Sequence, residues 1–201
     1  MLRIALTGGI GTGKSEVLAS LAAAGIPVIE ADKLAHQALE TEAVATAIRA
    51  RFGAAAFGTD GRVDRARLGA IVFADEAARR DLEAMVHDVV YAAIHGWMNE
   101  QQAHGARVVV AEIPLLFESG HEGDFDRVIV TACDPALQVE RVVTRSGLSA
   151  DDVRRRIAAQ MSLDEKIRRA HTVIRTDGSL ADTRARAAAV ARALLDAAGS
   201  D

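Results

Sequence analysis

Hydrophobic positions open the chain as a short, largely apolar run, Leu2 to Thr7, interrupted at Arg3 and stopping at Gly8-Gly9. Such a run predicts a buried strand, and the glycines predict a turn. Val17, Leu18 and Leu21 then recur at helical spacing, which predicts a helix from Lys14 to Ala24. Gly25 is placed to end that helix in the left-handed conformation, and Pro27 follows where no helix continues. Ile26 to Glu30 reads as a second buried strand. The chain therefore opens as strand–turn–helix–strand, the first unit of a parallel α/β fold.

Further buried strands are predicted at Arg107–Glu112 and Arg127–Thr131, with a weaker one at Thr172–Arg175. Between the second and third strands, a helical stretch from about 33 to 104 is far longer than one crossover helix. It predicts an insertion that builds a second lobe. At the far end, Leu180–Ala198 has an amphipathic pattern with Ala187, Val190, Ala191, Leu194 and Leu195 on one stripe, opened by a capping-box-like Ser179 and Asp182. The resulting expectation is one α/β domain with a parallel five-stranded sheet flanked by helices: core 1–32, 105–140 and 170–201, insertion about 33–104, lid about 141–169.

Composition narrows the function classes. Aromatic residues are only 3% of the 201, so the core has to be built from Ala, Leu, Val and Ile. A formal net charge of −4 speaks against a nucleic-acid binder, which normally carries a basic surface. No apolar run approaches the length of a membrane span, and the opening run is too short for a signal peptide. Cys133 is the single cysteine, so an intrachain disulfide is impossible and a cytoplasmic location is expected.

The candidate chemistry begins at Gly8-Gly9-Ile10-Gly11-Thr12-Gly13-Lys14-Ser15, which satisfies the phosphate-loop pattern between a strand and a helix. Its glycines allow backbone angles that turn N–H groups inward, and the new helix points its positive end at the same place. ATP is thus expected on Gly8, Gly9, Gly11, Thr12, Gly13, Lys14, Ser15 and Glu16. Lys14 would reach the β- and γ-phosphates, and the Ser15 hydroxyl would bind Mg²⁺. The guanine-reading Asn-Lys-x-Asp element of regulatory GTPases is missing, since Asn99 is the single asparagine and Glu100 follows it. An enzyme is favoured over a binding switch.

Glu30-Ala31-Asp32 ends the second strand, where ligands of parallel sheets bind. Two residues apart on a strand, Glu30 and Asp32 would face the same way. From spacing alone, Asp32 is either a base or Mg²⁺ partner, or a cap for the following helix. From Arg141 to Arg169 the chain carries a surplus of four positive charges. Arg141 and Arg145 share a helical face, and positive charge brought over the triphosphate would offset charge developing in phosphoryl transfer; a solvated surface suits Arg154, Arg155, Arg168 and Arg169 better. Gly147 makes a turn between helical pieces, as a mobile lid requires.

These motifs together resemble bacterial dephospho-CoA kinases. The resemblance is carried by Ala5 to Ser15, Val28 to Asp32, Asp60 to Arg65 with Leu68 and Phe73, Ile113 to Glu118, Gln138 to Arg145 and Arg156 to Gln160. It implies transfer of the ATP γ-phosphoryl group to the ribose 3′-hydroxyl of dephospho-CoA, with Asp32 as general base and Lys14, Arg141 and Arg145 in the catalytic set. His87, Leu116 and Phe117 would join Asp32 on the acceptor side, and Glu112 would orient Mg²⁺ through water. ATP and dephospho-CoA are the expected partners. The sequence departs from the family at Glu30, where Asp is usual, and at Asp88, where a proline usually follows the histidine. His171 and Thr176 stand where Asp and Asn are typical, so adenine contacts are not carried over there. Another small P-loop kinase, acting on a nucleoside monophosphate or sugar, is the competing enzyme reading. A nucleotide-controlled interaction module is the competing reading from another class.

Overall fold

The run Leu2–Gly8 forms strand β1, and its position in the sheet follows from its burial on both faces. The computed structural model describes residues 1–199. Strands β2 (Val28–Glu30), β3 (Val108–Glu112), β4 (Arg127–Ala132) and β5 (Thr172–Arg175) complete a five-stranded sheet in the order β2-β3-β1-β4-β5. Every pairing is parallel. After β1 the chain moves to one side for β2, and later to the other side for β4. The carboxyl end of β1 is therefore the switch point at which sheets of this kind open a ligand crevice.

Two compact units divide the chain: Met1–Glu30 together with everything from Met98 onward, and Ala31–Trp97. In the first, helices α1 (Lys14–Ala23) and α9 (Leu180–Ala197) pack on one face of the sheet. Ile4, Leu6, Val108, Val110 and Ile129 meet Val17, Leu21, Ala187, Ala191 and Leu194 in one core cluster. Val190 and Leu195 pack half-buried against it, which accounts for all five positions of the expected stripe. Ala5, Val109, Ala111, Val128 and Val130 are equally buried, and alternation points them to the opposite face. Small and branched aliphatics fill the sheet, as the scarcity of aromatics required.

Except at α1, helix starts in this unit are set by short polar side chains. Asp134 accepts from the Ala136 N–H ahead of α6 (Pro135–Ser146), with Pro135 fixing the first turn. Ser149 opens α7 (Ala150–Ala158), and Ser162 opens α8 (Leu163–Arg169). Gly147 closes α6 at φ 67°, in the left-handed region.

The second unit holds α2 (Ala31–Ala38), α3 (Glu42–Phe52), α4 (Arg65–Ala74) and most of α5, which spans Glu76–Ala103. The stretch Asp60–Arg65 does local structural work here. Asp60 accepts from the Arg62 N–H, Val63 bridges antiparallel to Phe57, and Asp64 caps α4 through the N–H groups of Ala66 and Arg67. Arg65 reaches His36 at 2.9 Å, beside a cavity of about 680 Å³ that Leu39, Leu68 and Leu82 also line.

Ser179 and Asp182 form the expected capping box at α9. Ser179→Ala should cost about 1 kcal/mol, lowering Tm by about 2–4 °C in a chain of this size. Ser179→Thr should stay near wild type, because threonine also caps. An unchanged melting temperature in Ser179→Ala would mean the box adds nothing.

Candidate active site

The phosphate loop leaves β1 at the centre of the sheet and enters α1 through Gly13, whose φ of 81° lies where a side chain would be strained. The first intrahelical bond of α1 runs from the Val17 N–H to the Gly13 carbonyl. The N–H groups ahead of it lie outside the helix's own ladder and face the loop, the arrangement that suits an anion. Lys14 Nζ donates to the carbonyls of Gly8 and Gly9 at 3.3 and 3.1 Å, so the ammonium lies along the rim of the loop. Ser15 is exposed in the first turn. Glu16 is turned away: its carboxylate pairs with Arg184 of α9 at 2.6 Å. Only its main chain faces the loop.

Beneath the loop lies a feature the sequence reading missed. Thr7, Thr12, Thr131 and Thr176 are all fully buried. The Thr12 hydroxyl donates to the Gly9 carbonyl at 2.8 Å and accepts from Thr131 at 2.7 Å. The Thr176 hydroxyl donates to the Thr12 carbonyl at 3.0 Å and accepts from Arg141. Each hydroxyl thereby spends its single hydrogen on one acceptor, so the network is internally consistent. The Thr12 hydroxyl is consequently turned into this buried network and not toward the ligand side of the loop.

Arg141, on α6, is held by both the Thr176 hydroxyl (3.0 Å) and the Thr176 carbonyl (2.6 Å). Arg145, one turn on, is exposed. Burial pushes the neighbouring Cys133 thiol above its ordinary pKa, with Arg141 opposing, so the sulfur stays neutral. Burial also pushes the Asp177 carboxyl up, yet hydrogen bonds from Arg175 and the Asp134 N–H prevail and its pKa falls below the usual value.

The acidic end of β2 differs from the expectation. The strand stops at Glu30 and α2 begins at Ala31, so Asp32 lies in the first turn of a helix. Glu30 and Asp32 are not strand neighbours facing one way, and Asp32 does not precede the helix as a cap would. The register partner of Glu30 is Glu112 on β3, and Glu112 is also level with Leu6 of β1. Two carboxylates thus stand side by side at the carboxyl edge of the sheet. Ser15, Glu30 and Glu112 supply oxygen donors of the kind Mg²⁺ takes, but fewer than a full shell, as expected where phosphates and water complete the coordination.

On the stretch after β3, Leu116 and Phe117 are buried, while Leu115 is 40% exposed. The Arg169 guanidinium lies 4.7 Å from the centre of the Phe117 ring. His87, in the second unit, packs its ring 4.6 Å from that of Tyr91. The basic segment also sorts differently from its charge count. Arg154 pairs with Asp151, Arg155 with Asp152, Arg168 with Glu165 and Arg169 with Glu122. Lys166 of the same segment is fully buried, with Nζ 2.9 Å from Glu118 Oε1 and 3.2 Å from the Pro114 carbonyl. The same Glu118 oxygen accepts the Met161 N–H.

Lys166→Ala should strip this buried pair of one partner and destabilise the protein by about 3–5 kcal/mol. Combining Lys166→Met with Glu118→Gln should recover part of that loss in urea unfolding. Equal midpoints for wild type and Lys166→Ala would show the pair to be without weight.

Comparisons with known proteins agree with this architecture. The sequence pattern of the family described as dephospho-CoA kinase matches residues 2–182. The dephospho-CoA kinase of Symbiobacterium thermophilum is 44% identical over 199 residues, covering 98% of this chain and 83% of that protein. Among solved structures, TT1252 from Thermus thermophilus superposes with a TM-score of 0.80 at 40% identity, over 95% of this chain and 97% of that one. The dephospho-CoA kinase from Campylobacter jejuni gives 0.74 at 29% identity, over 97% and 98%. On its sequence and its fold alike, the chain belongs to the dephospho-CoA kinase family.

Proposed function

We propose that this protein transfers the γ-phosphoryl group of ATP to the 3′-hydroxyl of the dephospho-CoA ribose, releasing ADP and coenzyme A. The observation that carries this reading is the phosphate loop at the switch point of the sheet, in a chain that matches the family from residue 2 to 182. The loop N–H groups and the start of α1 cradle the phosphates. Lys14 exchanges its hold on the Gly8 and Gly9 carbonyls for the β- and γ-oxygens. Mg²⁺ would be held by the phosphates with Ser15 and, through water, Glu112, where it would neutralise charge between the β- and γ-groups.

In the transfer, the ribose oxygen forms its bond to phosphorus as the bond to the ADP oxygen breaks. The hydroxyl proton passes to Asp32, which is exposed in the first turn of α2. Arg145 and Arg141 offset charge on the moving group, Arg141 from its seat on Thr176. Remote contacts to the pantetheine arm, with His87 and the stretch around Leu116 and Phe117 on the acceptor side, favour dephospho-CoA over smaller alcohols. No helix among the described residues is long and apolar enough to cross a membrane. Together with the lone Cys133, this supports a cytoplasmic enzyme.

Assay of the purified protein with ATP and an acceptor panel should give a much higher kcat/KM for dephospho-CoA than for AMP, adenosine or shikimate. Equal efficiency with AMP would move the protein to the nucleotide kinases. Lys14→Ala should abolish transfer while leaving the protein folded by circular dichroism. Asp32→Asn should lower kcat by about 10²–10⁴ with little change in acceptor affinity, the usual worth of a positioned base. Normal turnover in that variant would remove Asp32 from proton transfer.

A further inference from the structure

Ile10, in the phosphate loop, has both its main-chain N–H and its carbonyl taken by glutamine side chains from outside the loop. Gln138 Nε2, on α6, donates to the Ile10 carbonyl at 2.8 Å. The Ile10 N–H donates to Gln160 Oε1 at 3.0 Å, from the segment between α7 and α8. Peptide chemistry fixes the orientation of both amides, because the carbonyl accepts only a donor and the N–H needs an acceptor. Gln138 is 2% exposed, so its contact is made away from competing water. The loop is shaped around it: a Cβ on Gly9 would come within 2.7 Å of Gln138 Nε2. Gly9 is not among the positive-φ glycines. Its residue type is explained by the glutamine it lies against.

We propose that Gln138 and Gln160 are positioning residues for ATP, holding the two successive peptide groups on either side of the Ile10 Cα so that the loop keeps the curvature its phosphate ligand needs. A loop built on glycines has many backbone conformations to lose on binding. Two fixed hydrogen bonds at Ile10 remove much of that freedom before the nucleotide arrives, which raises affinity through preorganisation. Gln160 adds a second consequence. It belongs to the same basic segment as α7 and α8, and Met161 beside it is tied to Glu118. The segment that closes the site is thus fastened directly to the phosphate loop.

The inference rests on the reading of the loop as the ATP site, and its test measures nucleotide binding without the acceptor. The variants are Gln138→Glu, Gln160→Glu and Gln160→Met, each titrated with ATP by calorimetry and melted without nucleotide. The two glutamate variants add the same negative charge near the phosphates, so charge alone weakens binding in both. Gln138→Glu also loses its donor, whereas Gln160→Glu keeps its acceptor. The ATP Kd should therefore rise roughly five- to hundredfold further in Gln138→Glu than in Gln160→Glu, the span expected for leaving a buried polar group without its partner. Gln160→Met, which is neutral and cannot accept, should raise the Kd about tenfold or less. In steady state, Gln160→Met should raise the KM for ATP while the acceptor KM stays near wild type. Equal losses in the two glutamate variants would overturn the proposal, as would lowered melting temperature with unchanged ATP affinity in Gln160→Met. Failure of wild type to use dephospho-CoA would strike the acceptor assignment alone.

Discussion

A phosphate loop must keep a row of backbone N–H groups available to an anion while sitting at the mouth of a buried sheet. Unpaired polar groups in such a place are costly, so everything around the row has to be paired. The structure meets this constraint on the inner side. The Gly9 carbonyl takes the Thr12 hydroxyl, the Thr12 carbonyl takes the Thr176 hydroxyl, and the Ile10 carbonyl takes Gln138. These carbonyls are thereby occupied from below, while the N–H groups at the start of α1 stay outside the helix's own ladder. The glycine-rich sequence makes that shape accessible; the buried threonines and glutamines make it the shape that is kept.

This division of labour explains what could be read from the sequence. The five strands and the phosphate loop were legible because each rests on a local signal: a largely apolar run, or glycines at fixed offsets beside a lysine. The structure moves most ends by a residue or so, such as Ala132 joining β4, and begins β2 two residues late, at Val28. The separate helices of the insertion were also written locally, in Thr41, Asp64 and Asp75, which accept N–H groups at the starts of α3, α4 and α5. Those caps were the available signal for cutting the long helical stretch into pieces.

What was not legible depends on residues far apart in the chain. Glu30 stands opposite Glu112 only because β2 pairs with β3 in parallel. Thr176 lies 164 residues from the Thr12 carbonyl it bonds. Through it, Arg141 is joined to the loop. Asp32 illustrates the opposite failure. A period-two reading carried the strand past Glu30, but the backbone had already turned into α2, and side-chain direction changes with it.

The basic segment shows why charge counting and charge placement differ. Arg154, Arg155, Arg168 and Arg169 each face a carboxylate, and Lys166 faces Glu118, so those charges are largely spent on local acids, three within the segment and two, Glu118 and Glu122, outside it. The exposed pairs among them, Arg154–Asp151 and Arg155–Asp152, add little to stability and little to the field felt at a distance. Arg141 is held differently, by a hydroxyl and a carbonyl. Neutral partners fix the guanidinium in place without cancelling its charge. A protein of net charge −4 that must attract a triphosphate needs cations of this second kind, oriented by dipoles and not neutralised by acids. The position of Arg141 on Thr176, next to the Thr12 carbonyl, therefore places a guanidinium held by neutral partners beside the phosphate loop.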